Sequence, residues 1–136
     1  RDIKPSNIMV SLEEGGVVAA KIIDLGLATA VNEPDDQNAI SMPGFFVGTP
    51  DFASPEQFAG LQVDIRSDLY SLGVTLWAMV VGQVPFRGTA PELMYQHLHA
   101  SLPLEQLEGF PQPVVVLLEV LLEKDPGRRF QNPPKF

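Results

Sequence analysis

The segment 67–81 constrains the fold of this chain more than any other feature. Apolar residues occupy positions on nearly every side of its helical projection, namely Leu69, Leu72, Val74, Leu76, Trp77, Met79 and Val80. A helix that is apolar all round is normally buried, and the longest apolar run of the chain, 72–81, falls far short of the ~20 residues that cross a bilayer. We therefore predict a central core helix over 67–81, with other elements packed around it.

Two further segments have the patterns of helices that pack against such a core. Thr89 and Glu92 have the spacing of a capping box at a helix start. Apolar residues recur at i, i+3, i+4 and i+7 at positions 114, 117, 118 and 121, which predicts an amphipathic helix with Val114, Leu117, Leu118 and Leu121 on one face. Between the two, residues 102–113 contain three prolines and one glycine and are typical of a connecting loop.

The first quarter of the chain has the signature of a small β-hairpin. Short β-branched runs at 8–10 and 21–23 flank a Gly15-Gly16 turn. Such a hairpin would bring Asn7 and Asp24, which lie at its two open ends, close together. Residues 27–53 show no sustained periodicity of apolar residues, which predicts a long functional loop. After this loop, Ser54 and Gln57 have the spacing of a capped helix start. The expected fold class is α+β, mainly α-helical.

The composition limits the classes of partner. The 136 residues are 45% hydrophobic and 19% charged, which is typical of a globular protein. A net charge of −8 argues against nucleic acid or an anionic membrane as a partner. The chain has no cysteine, which excludes disulfides and thiolate chemistry and fits a cytoplasmic location. The sequence does not indicate an oligomeric state.

The side chains best suited to take part in a chemical reaction lie near the start of the chain. Asp2, Lys4 and Asn7 fall within seven residues, and Asp24 follows the predicted hairpin. Carboxylate and amide oxygens are hard ligands, so Asn7 and Asp24 suit Mg²⁺ that bridges nucleotide phosphates. Lys4 can reach a transferred phosphoryl group as a point charge, and Asp2 can accept a hydrogen bond from an attacking hydroxyl. This combination predicts phosphoryl transfer.

Five motifs in a fixed order give the chain a family resemblance. They are Asp2-x-x-x-x-Asn7, Asp24-Leu25-Gly26, Gly48-Thr49-Pro50 with Ser54-Pro55-Glu56, Asp68 with Tyr70-Ser71-Leu72-Gly73, and Asp125-Pro126-Gly127-Arg128-Arg129. In this order they resemble the protein-kinase family. The Ser-Pro-Glu-Gln form of the third motif, at positions 54–57, is similar to that of bacterial members.

The resemblance implies that residues 1–136 are a partial catalytic domain, the larger C-terminal lobe of a kinase, truncated at both ends. The Gly-rich loop and the Val-Ala-x-Lys strand of the family's ATP-holding lobe are not among these residues. The family's last helix would follow Phe136. We therefore expect the parent protein to use ATP with Mg²⁺, or Mn²⁺ in its place, and this fragment alone to be inactive.

The resemblance also implies roles for individual residues. Lys4 together with Thr49 looks like the serine/threonine branch, so the expected substrate is a Ser or Thr hydroxyl on a protein, as in signalling by phosphorylation. Asp2 would orient that hydroxyl. Asn7 and Asp24 would bind the metal and, with Lys4, the nucleotide phosphates.

Three further positions match residues that hold the scaffold together in the family. Glu56 and Arg129 resemble a buried ion pair that ties the activation segment to the last helices. Asp68 resembles the residue that fixes the catalytic-loop backbone from the central helix. These are structural roles.

A regulatory role is implied for Arg1 and Ser41. An Arg beside the catalytic Asp is commonly linked, in this family, to phosphorylation of the activation loop, because a phosphate can pair with it. Ser41 is the only hydroxyl-bearing residue between positions 29 and 49. It is therefore the expected phosphorylation site, with an ordinary loop serine as the alternative.

Two other functions fit part of the pattern. A pseudokinase that acts as a binding scaffold would not need the intact set Asp2, Lys4, Asn7 and Asp24. A small-molecule phosphotransferase of kinase-like fold would share the Asp and Asn residues but is not expected to contain the peptide-binding segment 48–56. His97 and His99 lie two positions apart and do not share a helix face, so we interpret them as packing or surface residues and not as metal ligands.

Overall fold

The computed structural model describes residues 3–23 and 49–131. These residues form two strands, four α-helices and short 3-10 turns. The strands are β1 (Ile8–Leu12) and β2 (Val18–Ile22), and the helices are α1 (Pro55–Phe58), α2 (Ile65–Val81), α3 (Ala90–His99) and α4 (Gln112–Leu121). The predicted α+β class with mainly helical content is confirmed.

The two strands form the predicted antiparallel hairpin. Their register pairs Ile8 with Ile22 and Leu12 with Val18. The connecting turn contains Gly15 and Gly16 at φ +85° and +79°, a region that side chains other than glycine rarely adopt. The sequence thus placed the turn correctly, because two adjacent glycines are what a reversal with positive φ requires.

Helix α1 begins at the capping box that the sequence predicts. The Ser54 backbone N–H donates to Gln57 Oε1 at 2.8 Å, and the Gln57 N–H donates to Ser54 Oγ at 3.4 Å. The helix ends after a single turn at Phe58, and Gly60 follows with φ +64°. The cap thus fixes the backbone of the helical turn that contains Glu56.

Helix α2 starts two residues before the predicted segment. The Asp64 side chain caps it by accepting the Arg66 N–H at 2.9 Å, and Gly82 ends it in the left-handed region at φ +83°. Tyr70, Val74 and Trp77 are fully buried on the core side.

The expectation that every side of this helix is covered is wrong for the part of the chain that the structure describes. The Met79 side chain is 53% exposed. The covered face of α2 meets α4 and the turn around Leu107. Residues of these two elements form one core cluster with Tyr70 and Trp77 of α2.

Helices α2 and α4 approach closely at a glycine. A Cβ added at Gly73 would lie 2.8 Å from the Leu121 Cβ and 3.1 Å from the nearest Leu122 atoms. Such contacts are too close for any larger residue unless the helices move apart. Gly73 therefore sets the distance between the two helices.

The predicted apolar face of α4 is only partly correct. Leu118 and Leu121 are buried and Val114 packs against the core, as predicted, whereas Leu117 is 40% exposed. Leu122, just beyond the helix, is buried in its place. The face that meets α2 is therefore rotated toward Leu118 and Leu122.

Helix α3 has the predicted capping box, in which Thr89 N–H donates to Glu92 Oε2 at 2.7 Å. The predicted loop 102–113 is shorter than expected, because Pro113 lies in the first turn of α4, where proline is tolerated. A 3-10 turn, Leu104–Leu107, also lies within it and buries Leu107. Among the described residues, the helices are too short or too polar to span a membrane.

Candidate functional site

The side chains of Lys4 and Thr49 meet across 45 positions of the sequence. Lys4 has an extended backbone, with φ −155° and ψ 161°, immediately before the 3-10 turn Pro5–Asn7. Its Nζ donates a hydrogen bond to Thr49 Oγ1 at 3.0 Å. The contact joins the loop at the start of the chain to the segment that leads into α1.

Asn7 links that same loop to the end of the hairpin. Its side chain is only 9% exposed, and its backbone N–H donates to the Lys4 carbonyl at 2.9 Å. Its own carbonyl accepts the Ile23 N–H at 2.8 Å. The residue that precedes Asp24 in the sequence therefore lies beside Asn7.

Four predicted site residues lie outside the described residues. They are Arg1, Asp2, Asp24 and Ser41. The roles given to them, and the metal-binding role given to Asn7, stay predictions. Within residues 3–23 and 49–131, no group of three or more His, Asp or Glu residues could hold a metal ion, and Asp2 and Asp24 lie outside these ranges.

The contact predicted between Glu56 and Arg129 is present and buried. Arg129 Nη1 lies 2.7 Å from Glu56 Oε1, and Nη2 lies 2.9 Å from Oε2, so the two groups pair through two parallel hydrogen bonds. The side chains are 0% and 4% exposed for Arg129 and Glu56, respectively. Ser67 Oγ donates a further hydrogen bond to Glu56 Oε1 at 2.5 Å.

Every N–H of the Arg129 guanidinium has an acceptor. Besides the two carboxylate oxygens, the Glu123 carbonyl accepts from Nε at 2.7 Å. The Arg66 carbonyl accepts from Nη1 at 2.9 Å and the Lys124 carbonyl from Nη2 at 3.1 Å. Since a guanidinium has five N–H donors, Arg129 is fully satisfied and ties α1, the start of α2 and the segment after α4 together.

The charge of Glu56 is maintained by these partners. Burial alone would raise the pKa of the carboxyl group, but the hydrogen bonds from Arg129 and Ser67 outweigh burial and lower the pKa below its ordinary value. Glu56 is thus ionised at neutral pH, opposite a permanent cation.

A buried aromatic and basic cluster lies next to this ion pair, and the sequence did not predict it. Tyr70 Oη lies 2.9 Å from His97 Nδ1, and the Arg129 guanidinium carbon lies 4.8 Å from the centroid of the Tyr70 ring. Lys124 Nζ lies 4.4 Å from the centroid of the Phe86 ring. His97 occurs four residues after the buried Leu93, and that helical spacing is the one sequence signal that it faces the core.

Burial controls the protonation of this cluster. It lowers the pKa of His97 to about 4, with a smaller contribution from the Lys124 charge and an opposing one from the backbone of Asp51. Burial and the nearby Arg129 charge lower the pKa of Lys124 to about 8. His97 is therefore neutral and completely buried, which is the packing alternative of the two that the sequence left open.

Asp68 lies in the first turn of α2 and is partly buried. The structure places it on the central helix, where the family resemblance expects it. Its proposed bond to the catalytic-loop backbone stays a prediction.

Comparison with known proteins decides the family. A family model described as the protein kinase domain matches residues 1–133. The chain belongs to the protein kinase family. The resemblance predicted from the five motifs is thus confirmed.

Two of the similar proteins are bacterial serine/threonine-protein kinases. The chain is 41% identical over 137 aligned residues to serine/threonine-protein kinase pkn2 of Myxococcus xanthus, with 97% of this chain and 16% of the relative covered. It is 37% identical over 135 residues to serine/threonine-protein kinase PknB of Mycobacterium tuberculosis, with 97% and 21% covered. The chain therefore spans about one sixth to one fifth of the length of these relatives, and the resemblance to bacterial members of the family is confirmed.

Proposed function

We propose that these residues form most of the larger lobe of a protein kinase that transfers phosphate from ATP to Ser or Thr hydroxyls on proteins. The observation that carries the proposal is the hydrogen bond from Lys4 Nζ to Thr49 Oγ1. It connects the two segments that such a reaction must bring together, namely the loop with the chemical groups and the segment that receives the substrate.

The same contact favours a protein substrate over a small molecule. Thr49 begins the described part of the segment that continues through the Pro50–Phe52 turn into α1. That segment is fixed to the rest of the protein at its far end by the Glu56–Arg129 pair. A segment held at both ends provides a stable surface on which a peptide can lie.

The residues present fit ATP with Mg²⁺. Asn7 has a hard amide oxygen and is held at the hairpin end beside Ile23, and Asp24, the next residue, would add a carboxylate. We propose that Asn7 and Asp24 hold the metal, in agreement with the preference of Mg²⁺ for oxygen ligands. When bound, ATP would supply the phosphoryl group, and Mg²⁺ would neutralise charge on the phosphate oxygens.

The chain's own side chains would position the reaction. Asp2 accepts a hydrogen bond from the substrate hydroxyl and thereby orients it, and later takes its proton. Lys4 provides a positive charge where negative charge increases on the transferred group, and Thr49 fixes the Lys4 ammonium in place. Most of the rate increase would come from positioning and charge.

A matched pair of lysine variants tests this proposal in the full-length parent protein. Lys4→Met removes the ammonium that contacts Thr49, whereas Lys21→Met removes an exposed lysine of strand β2. We expect Lys4→Met to lower kcat for phosphorylation of a protein substrate about 100-fold or more and Lys21→Met to keep wild-type kcat. Wild-type turnover by Lys4→Met would contradict the proposal.

A further inference from the structure

A buried threonine on the central helix contacts the backbone of the loop that contains Lys4. Thr75 is 0% exposed, and its Oγ1 donates to the Ile3 carbonyl at 3.2 Å, across 72 positions of the sequence. The Ile3 carbonyl belongs to the peptide group that joins Ile3 to Lys4. Ile3 is therefore the immediate neighbour of Asp2 and Lys4, to which the proposed function gives chemical roles.

We propose that Thr75 is a positioning residue for phosphoryl transfer, and that its hydroxyl fixes the peptide group that joins Ile3 to Lys4. The inference rests on the proposed function, because it gives Thr75 an effect on the same reaction. Thr75 itself would not touch substrate or nucleotide.

The rigidity of the peptide group gives the hydroxyl this effect. A peptide group is planar, so a hydrogen bond that holds the Ile3 oxygen also fixes the orientation of the Lys4 N–H. The Lys4 side chain is held separately by Thr49 at 3.0 Å. Lys4 is thus fixed through its backbone on one side and through its side-chain nitrogen on the other.

The Thr75 hydroxyl also has a contact within its own helix, but this contact does not explain why position 75 needs a hydroxyl. Thr75 Oγ1 also lies 2.8 Å from the Ser71 carbonyl, four residues earlier in the same helix, so its single proton is shared between the Ser71 and Ile3 carbonyl oxygens. That carbonyl is the normal acceptor for the helix backbone, so α2 does not need the hydroxyl in order to form. Valine has nearly the same shape and would lose only the one hydroxyl proton that the Ile3 and Ser71 carbonyls share.

Ser71 provides a matched control. It is buried on the same helix, 6% exposed, and its hydroxyl donates to the Ser67 carbonyl at 3.2 Å. This bond is also directed four residues back and stays within α2. Ser71→Ala thus removes a buried hydroxyl of the same kind without a change at the loop.

The test measures kcat, KM for ATP and melting temperature of the full-length protein with a protein substrate. We expect Thr75→Val to lower kcat about tenfold or more, because a small misplacement of reacting groups is costly, with KM for ATP within twofold of wild type. Thr75→Ser, which keeps the hydroxyl, restores most of kcat. Ser71→Ala keeps wild-type kcat.

Several results would overturn the inference. Wild-type kcat in Thr75→Val excludes a positioning role, and equal losses of kcat in Thr75→Val and Ser71→Ala show a general effect on the helix. Should Thr75→Val fail to fold, Thr75→Ser and Thr75→Ala differ only by the hydroxyl, and equal kcat in those two rejects the proposal. An inactive wild-type protein would instead reject the proposed function, and this inference with it.

Discussion

Arg129 and Glu56 lie 73 positions apart in the sequence and meet through two parallel hydrogen bonds of 2.7 and 2.9 Å in the protein interior. The other three guanidinium N–H groups donate to backbone carbonyls. Because the pair is desolvated and fully hydrogen-bonded, each partner is needed to neutralise the other. The pair thus links the segment after Thr49 to the end of the described chain.

Arg129→Ala is expected to destabilise the intact kinase domain strongly. Removal of one partner leaves the Glu56 charge buried and alone, which typically costs about 3–5 kcal/mol and corresponds to a fall in melting temperature of roughly 10 °C. The control is Arg128→Ala, since Arg128 is exposed. Thermal denaturation that shows small and equal shifts for the two variants would contradict this account of the pair.

The stability of the domain should fall in mildly acidic solution because of His97. The folded state keeps the pKa of this side chain at about 4, against 6.5 when unfolded, so the unfolded state takes up the proton first as pH falls. The stabilisation is complete above pH 6.5, decreases as pH falls toward 4 and amounts to about 2 kcal/mol lost between pH 7 and pH 5. Glu56 adds a separate loss at lower pH, because its pKa is lowered and its stabilising charge disappears in acid.

Denaturant unfolding at pH 7 and pH 5 measures the His97 contribution. We expect His97→Phe to show a smaller loss of unfolding free energy over this interval than wild type. His99→Asn is the control, because His99 is exposed on the same helix, and should keep the wild-type loss. A wild-type pH dependence in His97→Phe would show that this side chain is not the group that titrates.

Local sequence patterns could predict the structural features that depend on residues close together in the sequence. The hairpin turn at Gly15-Gly16 and the capping boxes at Ser54 and Thr89 depend on residues close in sequence, and all three were predicted correctly. The Glu56–Arg129 contact is long-range and was predicted only through the family resemblance.

The features that local patterns did not predict depend on which elements meet in three dimensions. Periodicity cannot show that Leu117 and Met79 lie on exposed sides of their helices, because both occur within apolar stripes. The burial of His97 depends on Phe58, Tyr70 and Phe86, which come from three other parts of the chain. The early start of α2 had a local signal, the capping residue Asp64, which the apolar pattern alone missed.

The chain of residues 1–136 by itself is expected to bind Mg-ATP at best with millimolar affinity and to show no kinase activity. Mg²⁺ keeps several waters when one or two protein groups bind it, and most contacts to the nucleotide would come from the proposed ATP-holding lobe of the parent. Isothermal titration calorimetry measures this directly. Micromolar affinity for Mg-ATP would show that residues 1–136 hold the nucleotide unaided.

Phosphorylation of Ser41 is expected to activate the parent protein. A phosphate of charge about −1.5 to −2 on Ser41 can pair with Arg1 through charge-assisted hydrogen bonds. Ser41→Ala and Arg1→Ala should each lower kcat/KM, and Arg1→Ala should still be phosphorylated at Ser41. Mass spectrometry that finds unmodified Ser41 in fully active protein, or unchanged kcat/KM in Ser41→Ala, would exclude this switch.

The measurement that tests the central claim most directly compares Asp2→Asn and Asp24→Asn in the full-length protein, by phosphate transfer from ATP to protein Ser or Thr and by Mg-ATP affinity. We predict that wild type transfers phosphate, that Asp2→Asn abolishes transfer with nearly unchanged Mg-ATP affinity, and that Asp24→Asn loses both transfer and metal-dependent affinity. Transfer at the wild-type rate by Asp2→Asn, or equally intact Mg-ATP affinity in both variants, would contradict the proposed roles.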